Sequence, residues 1–289
     1  MSNRNTPAII RAILETKSLQ SSEILTVRRW FYGDGIIHEE DAVAMFAANK
    51  VLCGSNLEFN KLFVEAVTDF MVYQQMPTGR VSAEQAEWLI AQMGGPGGHV
   101  ETVSEIDLLV NIMEEAHEIP TQLAAFAISQ VKHAAITGEG PAARGRVHFS
   151  RTVDGRDVEL LSRMLDKSGG TLGASVSREE ADLLFDIADA CSGSSNDHAW
   201  DQLFARAIAN HLLGASAQQR RALEHAPFVR GDGPEGEWQS SRLDSASAAW
   251  LNSRIHRDGS VSSGERILLR FLDQTVPELP AKAAILRMT

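Results

Sequence analysis

The sequence predicts an all-α protein made of two internally duplicated multi-helix bundles, and three observations carry that expectation. Apolar residues recur at helical spacing through most of the 289 residues, with no convincing alternating strand. Four blocks of the first half return in the same order in the second. Several expected helices also open with one signature, a Gly turn leading into Val-Ser and then Glu or Gln.

The periodicity is local and specific. Leu62, Phe63, Ala66, Val67 and Phe70 fall at i, i+1, i+4, i+5 and i+8, which places them in one stripe of a helix. Leu203, Phe204, Ala207, Ile208 and Leu212 repeat that stripe, and Leu108, Leu109, Ile112 and Met113 form another that Ile267, Leu268, Phe271 and Leu272 echo. Such stripes are stable only when buried against one another, so each half should be a bundle of about four helices.

The repeated blocks set the boundaries. "EDAVAMF" (40–46) matches "EEADLLF" (179–185), and "FNKLFVEAV" (59–67) matches "WDQLFARAI" (200–208). Trp88 and Leu89 match Trp250 and Leu251, and "EIDLLVNIMEEAHEIP" (105–120) matches "ERILLRFLDQTVPELP" (265–280). The expected organisation is an amphipathic helix within 1–21, helical repeats at 22–137 and 156–289, and a linker at 138–155, "GEGPAARGRVHFSRTVDG", rich in Gly, Arg and Pro. Relative to the first repeat, the second carries an insertion at about 213–244.

Helix starts explain the recurrent loops. Ser82, Ser177 and Ser262 each stand three residues before Gln85, Glu180 and Glu265, the spacing of a capping box. In that box the Ser oxygen accepts a first-turn N–H, and the acidic or amide side chain accepts the Ser N–H. Val81, Val176 and Val261 suit the preceding staple position; Thr102 with Glu105 forms a fourth box, and His38 with Asp41 a degenerate one. An EF-hand competes poorly for the same loops. With Gly259 at its sixth position the first and third ligands would be Arg254 and His256, and with Gly35 there they would be Trp30 and Tyr32.

The helix starts at Asp34–Glu40 and Asp258–Glu265, of the form DG-x-[IV]-x-x-x-E, resemble those of the tellurite-resistance TerB-like family. The resemblance implies an all-helical, often acidic protein associated with stress responses and with membrane-linked complexes. It also implies a cation-binding acidic cluster, which would fall on Asp34, Glu39, Glu40 and Asp41 and on Asp258 and Glu265. A divalent cation at these positions is the one cofactor to be considered. The second repeat departs from the pattern at its first loop, where Leu172 and Gly173 replace the Asp-Gly pair.

Composition narrows the partners. With 27 basic against 38 acidic residues the formal charge is −11, a field that repels phosphate backbones, so nucleic acid is not expected as a partner. No apolar run approaches a membrane span, and the N-terminus lacks a secretory pattern, so the expected location is the cytoplasm. Cys53 and Cys191 show no metal or redox spacing and are expected as two buried thiols. Glu114 and His117 lack a matching pair in the second repeat and read as a solvated helix end. His211, which takes the place of Phe70, reads as a satisfied core or groove-edge histidine. "GGPGG" (94–98) lacks the Lys-Ser/Thr of a phosphate loop. The insertion carries Arg220, Arg221, Arg230 and Trp238, residue types that dominate binding hot spots, and is the expected contact for a protein partner. The function expected is a non-catalytic acidic helical interaction module; the alternative is a metal-binding sensor or metal-dependent enzyme using the acidic helix starts.

Overall fold

In the computed structural model of the chain, residues 7–33, 35–95, 97–146, 151–167, 176–213, 243 and 245–275 are described. They form twelve α-helices and no strand, so the protein is all-α; the only β-type pairing among them is an isolated bridge between Arg80 and Glu118. The chain divides into two compact units, 1–130 with 139–145 and 131–138 with 146–289.

The first unit contains α1 (Ala8–Thr16), α2 (Ile24–Phe31), α3 (Glu39–Leu52), α4 (Leu57–Thr68), α5 (Ala83–Met93), α6 (Val103–Glu115) and the greater part of α7 (Thr121–Thr137). A π-helical turn, Asp69–Tyr73, extends α4. The apolar stripe read from the sequence is the core face of α4: Leu62, Phe63, Ala66 and Val67 are buried, and the helix packs chiefly on α6, where Leu108, Leu109, Ile112 and Met113 are buried in turn. Phe46 meets Phe63 edge to face at 5.1 Å and Trp88 at 6.0 Å.

The second unit contains α8 (Gly155–Lys167), α9 (Arg178–Ala190), α10 (His198–Leu213), α11 (Ser245–Ile255) and α12 (Ser263–Thr275). Here α10 packs chiefly on α12. Phe185 meets Phe204 edge to face at 5.0 Å and Trp250 at 5.5 Å. Gly264 in the first turn of α12 permits the close approach, because a Cβ there would lie 2.9 Å from the Phe204 ring. The matched blocks thus fall on α3 and α9, α4 and α10, α5 and α11, and α6 and α12, in one chain order.

The capping boxes form as the spacing predicts. Ser82, Thr102, Ser177 and Ser262 accept from the backbone N–H of Gln85, Glu105, Glu180 and Glu265 at 3.2–3.3 Å, and each of those side chains accepts the cap N–H in return at 2.6–2.9 Å. His38 makes no side-chain cap. Ser177→Ala or Ser262→Ala should lower unfolding free energy by about 0.5–2 kcal/mol, seen as an earlier urea midpoint at unchanged slope. The loss should be the same with and without a chelator, because the cap needs no metal.

Two expectations change. Cys191 is buried, but Cys53 is exposed, at the left-handed position (φ 48°) that caps the end of α3. The segment 138–155 is more than a spacer. It holds a short 3-10 helix, Pro141–Ala143, and it buries the Arg146 side chain, which is 2% exposed. The Arg146 guanidinium bonds the Ala134 carbonyl, the Thr152 carbonyl at 2.6 Å and the buried Asp157 carboxylate, and its Nε lies 3.5 Å from Asp154. Gly/Arg/Pro composition conceals this, because nothing local indicates that one of the arginines turns inward.

Candidate functional site

In the first unit, three segments each contribute a pair of polar or aromatic side chains one helical turn apart, and these converge. Arg28 and Tyr32 come from the end of α2, Asn111 and Glu115 from the last turns of α6, and Glu65 with Asp69 from the junction of α4 with the π turn. Tyr73, four residues beyond Asp69, closes the set. Residues four apart share a helix face, so each pair is presented together. The Gln74 N–H reaches back to the Asp69 carbonyl, the i→i+5 bond of a π turn; single π turns inside helices frequently accompany functional sites.

The result is an open cleft of about 530 Å³, lined by polar, charged and tyrosine side chains whose carbon atoms form much of its surface. Arg28 grips both oxygens of Glu65, at 2.8 and 2.5 Å, and its guanidinium stands 5.8 Å from the centre of the Tyr32 ring. The Tyr73 hydroxyl donates to Glu115 in a short bond, and Asn111 donates to the buried Thr68 hydroxyl at 2.9 Å. Asp69 accepts from Gln74 at a long 3.4 Å, while Gln74 itself accepts the Ile37 N–H at 2.7 Å. Ile36, beside that bond, and Met76, two residues past Gln74, are exposed apolar residues.

The electrostatics follow from this layout. Burial, reinforced by the charges of Glu65 and Asp69, pushes the Tyr32 phenol up to about 12. The bond to Glu115 and partial burial raise Tyr73, and burial raises Asp69. Both phenols therefore stay neutral at physiological pH and act as hydrogen-bonding faces. Three carboxylates and one guanidinium line the cleft, the guanidinium paired with Glu65, and neither His, Cys nor Lys lines it.

The sequence-predicted positions lie elsewhere. Asp34 and the partner-contact residues Arg220, Arg221, Arg230 and Trp238 fall outside the described residues. Glu39 accepts the Trp88 indole N–H at 3.0 Å, Glu40 is exposed at the start of α3, and Asp41 is buried there. Asp258 binds Ser260 within its own turn, and Glu265 is occupied by its capping box. Among the described residues no three His, Cys, Asp or Glu side chains are grouped to hold a metal ion.

In the second unit, Trp250 lies under the Arg178 guanidinium, 4.3 Å from the ring centre, and donates to Asp182 at 2.8 Å. His211 packs edge-on to Trp250 at 4.9 Å, where Phe70 meets Trp88 in the first unit at 5.6 Å. Its Nδ1 lies 2.7 Å from the Val176 carbonyl, and burial lowers its pKa, so the ring is neutral and donates to that carbonyl. Beside this cluster, Asp182, Asp186 and Asp189 form a row on α9 that pairs with Arg254 and Arg257, and Asp186 also pairs with Lys132. Burial works against the ionised Asp186, but the Lys132 and Arg257 bonds prevail and hold it below the usual carboxylate range. This network braces the helices and leaves its carboxylates occupied.

The cleft residues were absent from the sequence expectations. Their signal is present as the paired spacings 28/32, 65/69/73 and 111/115, yet each resembles an ordinary solvated helix face until the helices are packed. Fold and cleft together define an all-helical protein with an acidic, tyrosine-walled surface site. No protein-family model matches the chain, and no curated protein or solved structure shows significant similarity to it.

Proposed function

We propose that the chain is a non-catalytic acidic interaction module that engages a protein partner through the cleft of its first unit. The observation carrying this reading is the chemistry of the cleft: carboxylates, neutral phenols and one guanidinium displayed together on an open surface, as in a recognition site. Two side chains of the second unit are consistent with it. Burial pushes the Cys191 thiol up to about 11, and His211 is bound to a backbone carbonyl. No described helix is long and apolar enough to cross a membrane.

The setting we infer is a cytoplasmic, stress-linked complex, supported by the TerB-like form of the helix starts and the all-helical architecture. We also infer that the halves are copies of one unit, because four matched helix pairs and two matched Phe–Phe–Trp clusters keep one order and near-identical ring separations.

The test is affinity capture with the full chain and with a Glu65→Gln/Asp69→Asn/Glu115→Gln variant of unchanged far-UV circular dichroism. Partners retained by the wild type and lost by the variant are expected. Identical partner sets would remove the cleft as the docking site.

A further inference from the structure

Half of the cleft already displays the chemistry that it selects. The chain's own Arg28 sits in it, with its guanidinium held by both Glu65 oxygens and facing the Tyr32 ring. The other half repeats that composition, with a phenol, Tyr73, beside two carboxylates, Asp69 and Glu115. Among the described residues no cation is paired with either carboxylate: Asp69 has only its long bond from Gln74, and Glu115 the bond from Tyr73. The site thus holds one positive charge against three negative ones, in a chain whose net charge of −11 steers cations inward.

We propose that the Asp69–Glu115 half of the cleft receives the basic side chain, arginine or lysine, of a partner protein, an inference that rests on the interaction-module reading above. The shape argues for an organic cation over a metal ion. A calcium-type ion wants six or more oxygen ligands close together, whereas here Asp69 and Glu115 come from separate segments and no three acidic side chains among the described residues are grouped to hold a metal ion. Arginine and lysine match the cleft, laying an aliphatic stem on carbon and carrying the charged head to the acceptors. The rings of Tyr32 and Tyr73 add faces on which a cation rests favourably. A volume of about 530 Å³ accommodates such a side chain and part of its neighbours.

The experiment is an NMR titration of the full chain with acetylated, amidated Gly-Arg-Gly and Gly-Lys-Gly peptides, with the neutral citrulline counterpart, and with free agmatine. Saturable shifts at Tyr73, Asp69 and Glu115 are expected with the Arg or Lys peptide, and the citrulline peptide should bind about tenfold more weakly or not at all. Asp69→Asn and Glu115→Gln should each weaken the Arg peptide by about tenfold, while Glu84→Gln on α5 should leave it unchanged. Equal binding of citrulline, indifference to both cleft substitutions, or no binding by any cation would overturn the proposal. Agmatine binding without peptide binding would overturn the partner side chain in favour of a small free cation. Partner capture that depends on the cleft, combined with a null cation titration, would remove this inference alone; cation binding without any cleft-dependent partner would remove the module reading.

Discussion

Replacing Arg146 with alanine is expected to destabilise the protein by about 3–5 kcal/mol, the usual effect of deleting one member of a buried ion pair. The Arg146 and Asp157 side chains are 2% and 1% exposed, so solvent cannot substitute for the lost guanidinium. The Ala134 and Thr152 carbonyls lose a charged donor in the same step. The effect should also depend on pH with a definite sign. Burial pushes Asp157 up to about 6, while the Asp154 N–H and Arg146 pull the other way, so removing Arg146 raises it further. A carboxyl whose pKa is higher folded than unfolded favours the folded state most when protonated, and that advantage declines as pH rises from the unfolded value through the folded one. The wild type therefore loses this contribution between about pH 4 and pH 6. In Arg146→Ala the decline extends to higher pH. The destabilisation relative to wild type should be smallest near pH 4.5 and largest near pH 8, measured from urea unfolding at each pH. A difference independent of pH would mean that Asp157 is not the group that Arg146 compensates.

The same residue shows where sequence reading stops. Stripes and capping boxes were legible because their physics is local: residues three or four apart share a face, and a Ser three before a Glu reaches its own first turn. Those rules placed Leu108 and Phe204 in cores and Ser177 and Ser262 at helix starts, as found. The interior position of Arg146 depends on Ala134, Thr152 and Asp157 meeting around it, and no window of sequence contains that information. The cleft failed to register for a related reason. Arg28 with Tyr32, and Asn111 with Glu115, are unremarkable on separate helices; they become a site only when α2, α4 and α6 are packed and the π turn sets Asp69 and Tyr73 beside them. The acidic helix starts were conspicuous for the opposite reason. Glu265 reads in sequence both as a cap partner and, through the family resemblance, as a cation ligand; it is buried and closes its own cap, as Glu105 and Glu180 do.

Truncating either central phenylalanine should be as damaging as losing Arg146, and equally so in the two units. Phe63 and Phe204 are fully buried, each edge to face with another phenylalanine, Phe46 or Phe185, which in turn packs on a tryptophan. Replacement by alanine removes the ring's transfer free energy and its aromatic contacts and leaves a cavity that packed helices refill only in part. The expected loss is about 3–5 kcal/mol for Phe63→Ala and for Phe204→Ala. Leucine at either site retains most of the buried carbon and should forfeit well under half of that. Denaturant unfolding followed by far-UV circular dichroism gives the value for each single variant. Losses of similar size at the two sites would be consistent with the inferred duplication. A loss below about 1 kcal/mol at either position would be too small for a buried ring and would show that its helix contributes little to the core of its unit. A large loss at one site beside a small one at the other would count against the inference that α4 and α10 are copies of one element.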